Sequence, residues 1–82
     1  MEKYYVYILQ SLKTQRYYCG QTHNLEDRIT RHNAGRSKST AKEKPWKIIK
    51  ILEVESRSEA VILERKIKKR GIRRFLNDFA EG

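Results

Sequence analysis

Five side chains in this sequence have the chemistry of a site that cuts phosphodiester bonds. They are two phenols, a guanidinium, an imidazole and a carboxylate: Tyr7, Tyr18, Arg28, His32 and Glu64. A guanidinium binds phosphate oxygens, and one carboxylate with waters and a substrate phosphate is a normal way to hold Mg²⁺. Phenol and imidazole groups can position an attacking water or relay its proton. Each residue is ordinary alone, so the hypothesis depends on their ordered spacing.

Each of these residues also has a structural interpretation. Glu64 stands four residues before Lys68, and such a pair on a helix contributes only about 0.3 kcal/mol. Arg28 could be a solvated arginine or the ion-pair partner of a neighbouring acid, and His32 could interact with a helix dipole. Strand tyrosines often bury the ring and expose the hydroxyl. Taken alone, the glutamate and the tyrosines favour these structural interpretations.

Two strands must position the tyrosines. Segments 4–9 and 17–22 are rich in β-forming residues, and the polar segment 11–16 between them predicts a hairpin loop. An antiparallel hairpin brings Tyr7 and Tyr18 into the same neighbourhood.

A helix must position the arginine and the histidine. Asn24 is a suitable N-cap for a helix over 25–33, and Gly35 can end it with a left-handed residue. Because Arg28 and His32 are four residues apart, they lie on one face of this helix.

The second half of the chain predicts one more strand and two helices. Segment 46–54 is almost continuously apolar, which predicts a strand buried on both faces, hence central or covered by helices. Ser56 begins a capping box for a helix that Gly71 ends. A last helix over 72–79 is predicted to turn its apolar side chains inward: Phe75, Leu76 and Phe79. The predicted fold is α+β: a three-stranded antiparallel sheet flanked by helices in the order β-β-α-β-α-α.

Composition limits the function classes. A chain of 82 residues predicts one domain over 1–82, without an appended DNA-binding domain. No segment approaches the roughly 18 apolar residues of a membrane span, so no membrane partner is expected. The lone Cys19 is expected to be a small core residue, and a reducing cytoplasm is the expected setting. The sequence contains no cluster of Cys and His residues that would indicate a zinc site.

The net charge of +9 predicts an anionic partner, nucleic acid before membrane. Basic residues crowd two segments, 28–50 with Glu43 as its acid and 64–76 with Glu64 as its acid. The plainer alternative is that both are solvated faces that keep a small protein in solution.

Five segments in this order resemble motifs of the GIY-YIG nuclease superfamily. They are Tyr5-Val6-Tyr7, Tyr18-Cys19-Gly20, Leu25-x-x-Arg28-x-x-x-His32-Asn33, the connector 40–47 and Ala60-x-x-x-Glu64-x-x-x-Lys68. The connector resembles that of small single-domain members. The superfamily includes the nuclease module of the excision-repair incision subunit and structure-specific endonucleases. The chain departs from the motif with Tyr5 in place of the first glycine and Cys19 in place of isoleucine.

The resemblance implies hydrolysis of a phosphodiester by water with one Mg²⁺ or Mn²⁺ bound at Glu64. It implies that Arg28 offsets charge on the phosphate and that His32 holds the water or relays its proton. Tyr7 is the implied proton acceptor, and Tyr18 would hydrogen-bond the scissile phosphate or position the water. A phenol with a pKa of about 10 is a poor base unless nearby cations lower that pKa. Asn77 is the candidate for a further polar residue that the family often carries.

The implied partner is DNA: duplex, branched or flapped. We predict DNA contacts at six further positions: Gly20, Arg31, Arg36, Lys38, Lys42 and Lys68. The polar loop with Ser37, Ser39 and Thr40 would hold phosphates beside the cleaved one. Recognition of DNA structure rather than sequence, in repair or recombination, is expected, with a protein partner as a second source of specificity. The alternative is a catalytically weak DNA- or RNA-binding module.

Overall fold

A computed structural model describes residues 3–80 and contains one three-stranded antiparallel sheet with helices on both faces. The strand order is β2-β1-β3, which makes β1 the central strand. The predicted β-β-α-β-α-α order is confirmed, with a short 3₁₀ turn added before the third strand. The elements are β1 (Tyr4–Ser11), β2 (Tyr17–Thr22), α1 (Leu25–Asn33), the 3₁₀ turn (Ala41–Glu43), β3 (Trp46–Val54), α2 (Arg57–Arg70) and α3 (Ile72–Ala80). Within residues 3–80, no helix combines the length and apolarity of a bilayer crossing.

The central strand β1 divides the core into two layers because its side chains alternate between the two faces. Val6 and Ile8 pack with residues of α2 on one face. Tyr7 and Leu9 pack on the other face, which α1 covers. In the hairpin, Leu9 stands opposite Tyr18, so the two predicted tyrosines are diagonal neighbours with ring centroids 6.3 Å apart. The predicted proximity of Tyr7 and Tyr18 is confirmed.

The prediction that segment 46–54 forms a strand is confirmed, but the prediction of a strand buried on both faces is wrong. β3 lies at the edge of the sheet, and its apolar residues Ile48, Ile49 and Ile51 are 44%, 36% and 41% exposed. The hairpin pairs β1 with β2, and β3 joins the free edge of β1, so β3 has a strand neighbour on one side. The helix α1 contacts β3 but leaves a groove between them, lined by Leu25 and Ile29 on one side and by Ile48 and Ile51 on the other, where the two strand residues remain exposed.

Local capping signals set the ends of the first two long helices. The Asn24 Oδ1 atom accepts a hydrogen bond from the Asp27 amide at 3.1 Å and begins α1. Gly35 follows α1 with φ +77°, and the Arg36 amide then donates to the Arg31 carbonyl at 3.0 Å. This arrangement satisfies carbonyls that the last turn leaves free. The predicted end of α1 is confirmed.

The ends of α2 also follow the prediction, whereas one side chain of α3 does not. The Ser56 hydroxyl accepts from the Glu59 amide at 3.1 Å, and Gly71 ends α2 with φ +98°. Phe75 packs against the core as expected. Phe79 was predicted inward but is 49% exposed; its ring lies beneath the Lys50 ammonium at 4.0 Å. The Phe79 ring therefore packs between Phe75 of the same helix and a lysine of β3 and stays half open to solvent.

Candidate active site

Three buried side chains form a hydrogen-bonded chain between β1, α1 and the loop that precedes β3. The Tyr7 hydroxyl lies 3.0 Å from His32 Nε2, and His32 Nδ1 lies 2.7 Å from the Thr40 hydroxyl oxygen. All three residues are buried. The Thr40 carbonyl in turn accepts from the Trp46 indole at 2.9 Å. These contacts hold the imidazole in one orientation and use both of its nitrogens.

A second pair of bonds folds the loop so that Thr40 reaches His32. The Asn33 side chain accepts from the Trp46 amide at 2.6 Å and donates to the Trp46 carbonyl at 3.2 Å. This two-bond contact ties the end of α1 to the start of β3. Asn33 therefore has a structural role, and Trp46 is a buried core residue. Thr40 was predicted to hold phosphates at the surface, but the fold buries it beneath the imidazole.

Burial sets the protonation of the two titratable members of this chain. Burial, and secondarily the neighbouring Tyr18, raises the pKa of Tyr7 to about 12. The Arg28 charge acts in the expected lowering direction, but it does not overcome burial. Burial, with the Arg28 charge, lowers the pKa of His32. Both groups are therefore neutral near pH 7. The Thr40 hydroxyl is placed to donate to the Ser37 carbonyl at 3.5 Å, so we assign the tautomer in which His32 Nδ1–H donates to Thr40 and the Tyr7 hydroxyl donates to His32 Nε2.

A polar cleft of about 290 Å³ opens beside this chain and contains three of the five predicted catalytic residues. We name it the first cleft, and its lining residues are Tyr18, Arg28, Arg31, His32, Arg36 and Ser37. The Tyr18 ring meets the His32 ring edge-on, with centroids 4.9 Å apart. Two predicted DNA-binding residues, Arg31 and Arg36, thus join the predicted catalytic residues. Tyr7 lies behind the cleft, where it contacts His32.

Glu64 is on α2 and does not line the first cleft, yet its charge reaches Tyr7. The Glu64 carboxylate contributes to raising the pKa of Tyr7, so it lies within electrostatic range of that phenol. Its side chain is 21% exposed, and Lys68 donates to its Oε2 atom at 2.6 Å. Burial raises the pKa of the Cys19 thiol to about 11, and the Glu64 carboxylate is the second cause of that rise.

The donor set at Glu64 fits a hydrated hard cation. In the part of the chain that the structure describes, no three His, Cys, Asp or Glu side chains cluster as a metal cage would require. Mg²⁺ keeps several waters and is often held by one or two carboxylates with substrate phosphate. The partly exposed Glu64 carboxylate is compatible with that mode if the cation binds Oε1, or if Lys68 releases its hydrogen bond to Oε2. A soft or fully caged metal does not fit.

Gly20 has a packing role that the sequence pattern only hinted at. A β-carbon added at Gly20 would lie 2.5 Å from the Tyr7 hydroxyl oxygen and 2.7 Å from the ring carbon that bears it. Gly20 stands opposite Tyr7 in the hairpin and is buried. The missing side chain therefore makes room for the Tyr7 phenol beside His32.

The other predicted contact residues lie on the surface, where they are available to a large ligand. Lys38 and Lys42 are exposed on the loop after α1 and do not line the first cleft. Arg31 forms an ion pair with Asp27 at 3.1 Å, on the same helix. Asn77 is exposed on α3. Thr40 was missed as a partner of His32, although the connector motif contained it, because the contact exists only after the loop folds.

We expect the stability of the fold to fall as pH is lowered below the ordinary histidine value. The unfolded chain binds a proton at His32 near 6.5, whereas the folded chain binds it only at lower pH. Stability is therefore lost from about pH 6.5 downward until the folded pKa is passed. The measurement is urea unfolding over this range, with His23→Gln as the control that keeps the dependence because His23 is exposed. An NMR titration of His32 with a midpoint at or above 6.5 would contradict this assignment.

Comparison with known proteins agrees with this fold and these motifs. The family model for the GIY-YIG catalytic domain matches residues 3–75. A UPF0213 protein of Syntrophus aciditrophicus is 42% identical over 72 residues, covering 84% of this chain and 80% of its own. A UPF0213 protein of Oceanobacillus iheyensis is 37% identical over 68 residues, covering 82% and 78%. The solution NMR structure of a UPF0213 protein from Bacillus halodurans superposes with a TM-score of 0.58 at 28% identity, covering 95% of this chain and 83% of that one.

Proposed function

Because this chain belongs to the GIY-YIG catalytic domain family, a nuclease-type family, we propose that it is a metal-dependent DNA endonuclease that hydrolyses phosphodiester bonds. The observation that carries the proposal is the first cleft, where Tyr18, Arg28 and His32 come together from a strand and a helix. A phenol, a guanidinium and an imidazole around one polar cleft suit a phosphate group and an attacking water.

The proposed roles follow from what each side chain faces. Arg28 binds the oxygens of the scissile phosphate and offsets the charge that grows as water attacks phosphorus and the bond to the 3′ oxygen breaks. Tyr18, also in the cleft, hydrogen-bonds the phosphate or the water. Glu64 would hold the Mg²⁺ or Mn²⁺, and the ion would supply charge stabilisation for the phosphoryl and leaving oxygens.

Tyr7 and His32 are proposed to handle the proton together. A phenol with a pKa of about 12 is a weak acceptor if it must first ionise. Its hydroxyl already donates to the neutral His32, so Tyr7 can take the proton of the water while passing its own to Nε2. The Nδ1–H bond to Thr40 supports the imidazolium that results. Since Tyr7 is buried, this step requires that bound substrate admit the water from the Tyr18 side.

DNA recognition is proposed to rest on charge and shape. Arg31 and Arg36 line the first cleft, and Lys38, Lys42 and Lys68 are further exposed cations of the same chain. Contacts to phosphate give affinity through counterion release and carry little sequence information. We therefore favour branched or flapped DNA in repair or recombination, with a protein partner as a second source of specificity. The cytoplasm is the proposed setting because DNA is the proposed substrate.

The test is a panel of linear, nicked, branched and flapped DNAs incubated with Mg²⁺ or Mn²⁺ and, as a control, with EDTA. We expect nicks on at least one branched or flapped substrate, and loss of those nicks when EDTA is present. Equal cleavage in EDTA would contradict a metal-dependent mechanism. Binding across the whole panel without any cleavage would contradict the endonuclease assignment.

One specific observation favours the alternative of a catalytically weak DNA- or RNA-binding module. The Lys68 ammonium is bonded to Glu64 at 2.6 Å, and this contact raises the pKa of Lys68. A cation at Glu64 must compete with this lysine. In that case Lys68→Ala would create or increase metal-dependent cleavage, whereas the endonuclease proposal expects cleavage before any change at Lys68.

A further inference from the structure

A second polar cleft of about 250 Å³ lies at the far end of β2, next to the first cleft. Its lining residues come from β1, β2, α1, α2 and the segment between β2 and α1: Tyr4, Gln21, Thr22, His23, Arg28 and Arg57. Arg28 is the residue that the two clefts share. A guanidinium has five N–H donors, so Arg28 can face ligand atoms on both sides.

The charges in the second cleft have one sign. Arg28 and Arg57 line it, and none of the described residues that line it is a carboxylate. Within residues 3–80, the ion pairs of the structure engage five other cations: Lys3, Arg16, Arg31, Lys68 and Arg70. Two guanidiniums that face one cleft without an acidic partner repel each other, and a bound anion would remove that repulsion.

The position of Arg57 makes a purely structural role unfavourable. Arg57 is the first residue of α2, directly after the Ser56 cap. The N-terminal end of a helix carries partial positive charge, so a cation there is disfavoured and an anion is favoured. Arg57 is exposed and contributes no core packing. The placement therefore lowers helix stability slightly and raises the attraction of the cleft for anions.

We propose that the second cleft binds a backbone phosphate of the DNA strand next to the phosphate that is cut. This inference rests on the proposed function and adds a contact set to it. Arg57 and the far side of Arg28 bind the phosphate oxygens, and the Gln21 amide is a neutral donor beside them. The exposed His23 ring packs against Tyr4, with centroids 5.9 Å apart, and walls the cleft. With Arg28 between the clefts, one strand can occupy both.

The test measures DNA binding rather than cleavage. The full chain carrying Glu64→Gln keeps the probe, a fluorescein-labelled flapped DNA, from being consumed, and anisotropy gives affinity over a salt series. Arg57→Gln is expected to weaken binding and reduce the slope of log K against log salt by about 0.7 to 0.9, the effect of one lost phosphate contact. Arg57→Lys should keep the slope, because it keeps the charge.

Arg16→Gln is the matched control. Arg16 is exposed and precedes β2, whereas the second cleft lies where β2 ends. Both substitutions remove one positive charge, so an equal loss of affinity and slope in the two would overturn the subsite. So would an unchanged slope in Arg57→Gln while Arg31→Gln lowers it, which would leave the proposed function standing. The two proposals can also fail separately. If the salt slope depends on Arg57 but the wild-type protein cleaves no DNA of the panel, the subsite is supported and the endonuclease assignment fails.

Discussion

Replacement of Glu64 by glutamine is expected to lower the rate of metal-dependent DNA cleavage by about a thousandfold while DNA binding persists. The substitution keeps the size of the side chain but removes the one negative charge proposed to hold the cation. None of the described residues that line the two polar clefts is an Asp or Glu, so neither cleft offers a carboxylate to replace Glu64. Loss of the Glu64–Lys68 pair should cost little stability, since exposed helix pairs contribute about 0.3 to 0.5 kcal/mol.

The control for this experiment is Asp78→Asn. It also breaks a carboxylate–cation pair between helical residues, the 2.8 Å contact of Asp78 with Arg70. Asp78 lines neither polar cleft, so cleavage should be unchanged. Rates would be measured on the best substrate of the panel, with added metal varied. Cleavage that survives Glu64→Gln at the wild-type metal concentration would contradict the role of Glu64 and would indicate another metal ligand or a contaminating nuclease.

Replacement of Gly20 by alanine is expected to destabilise the fold by about 1 to 3 kcal/mol, the usual range for an overpacked core. The added methyl group would meet the Tyr7 hydroxyl oxygen at 2.5 Å and its ring carbon at 2.7 Å. The phenol cannot move aside easily because it is buried and bonded to His32. Displacement of the phenol would also break that bond, so cleavage should fall with stability. Denaturant unfolding and the cleavage rate are the two measurements.

A double variant separates the clash from a general intolerance of the strand. Tyr7→Phe removes the hydroxyl oxygen and leaves the ring carbon, so in Gly20→Ala/Tyr7→Phe part of the strain is relieved. The two substitutions should therefore cost less together than the sum of each alone, by about 0.5 kcal/mol or more. Strict additivity would contradict a direct contact between the two positions. Wild-type stability in Gly20→Ala alone would contradict the position of the Tyr7 ring.

Most of the secondary structure was predictable because its signals are local. The predicted bounds 17–22, 25–33 and 46–54 agree with β2, α1 and β3. Alternation of side chains, an asparagine cap and a helix-ending glycine act within a few residues, so their effects do not depend on the rest of the fold. The same reasoning explains why Tyr7 and Tyr18 were correctly expected to meet, since a short hairpin sets their register.

Predictions that depended on the neighbours of an element were less successful. The apolar run of β3 indicated a strand that is central or covered by helices, but β3 lies at the edge of the sheet with its isoleucines partly exposed. Phe79 has a core-like spacing, yet the core ends before the last turn of α3. Apolar patterning shows which residues can be buried, while the arrangement of the other elements decides whether anything covers them.

In the candidate site, too, local features were predictable from the sequence and features that depend on packing were not. The sequence alone determined the element order, the family motifs, and the pairing of Arg28 with His32 on one helix face. Only the tertiary structure decided that Tyr7 is buried with a raised pKa, that Thr40 bonds His32, and that two clefts share Arg28. The physical reason is that motif spacing follows the chain, whereas desolvation and charge depend on every group packed around a side chain, including groups far away in sequence.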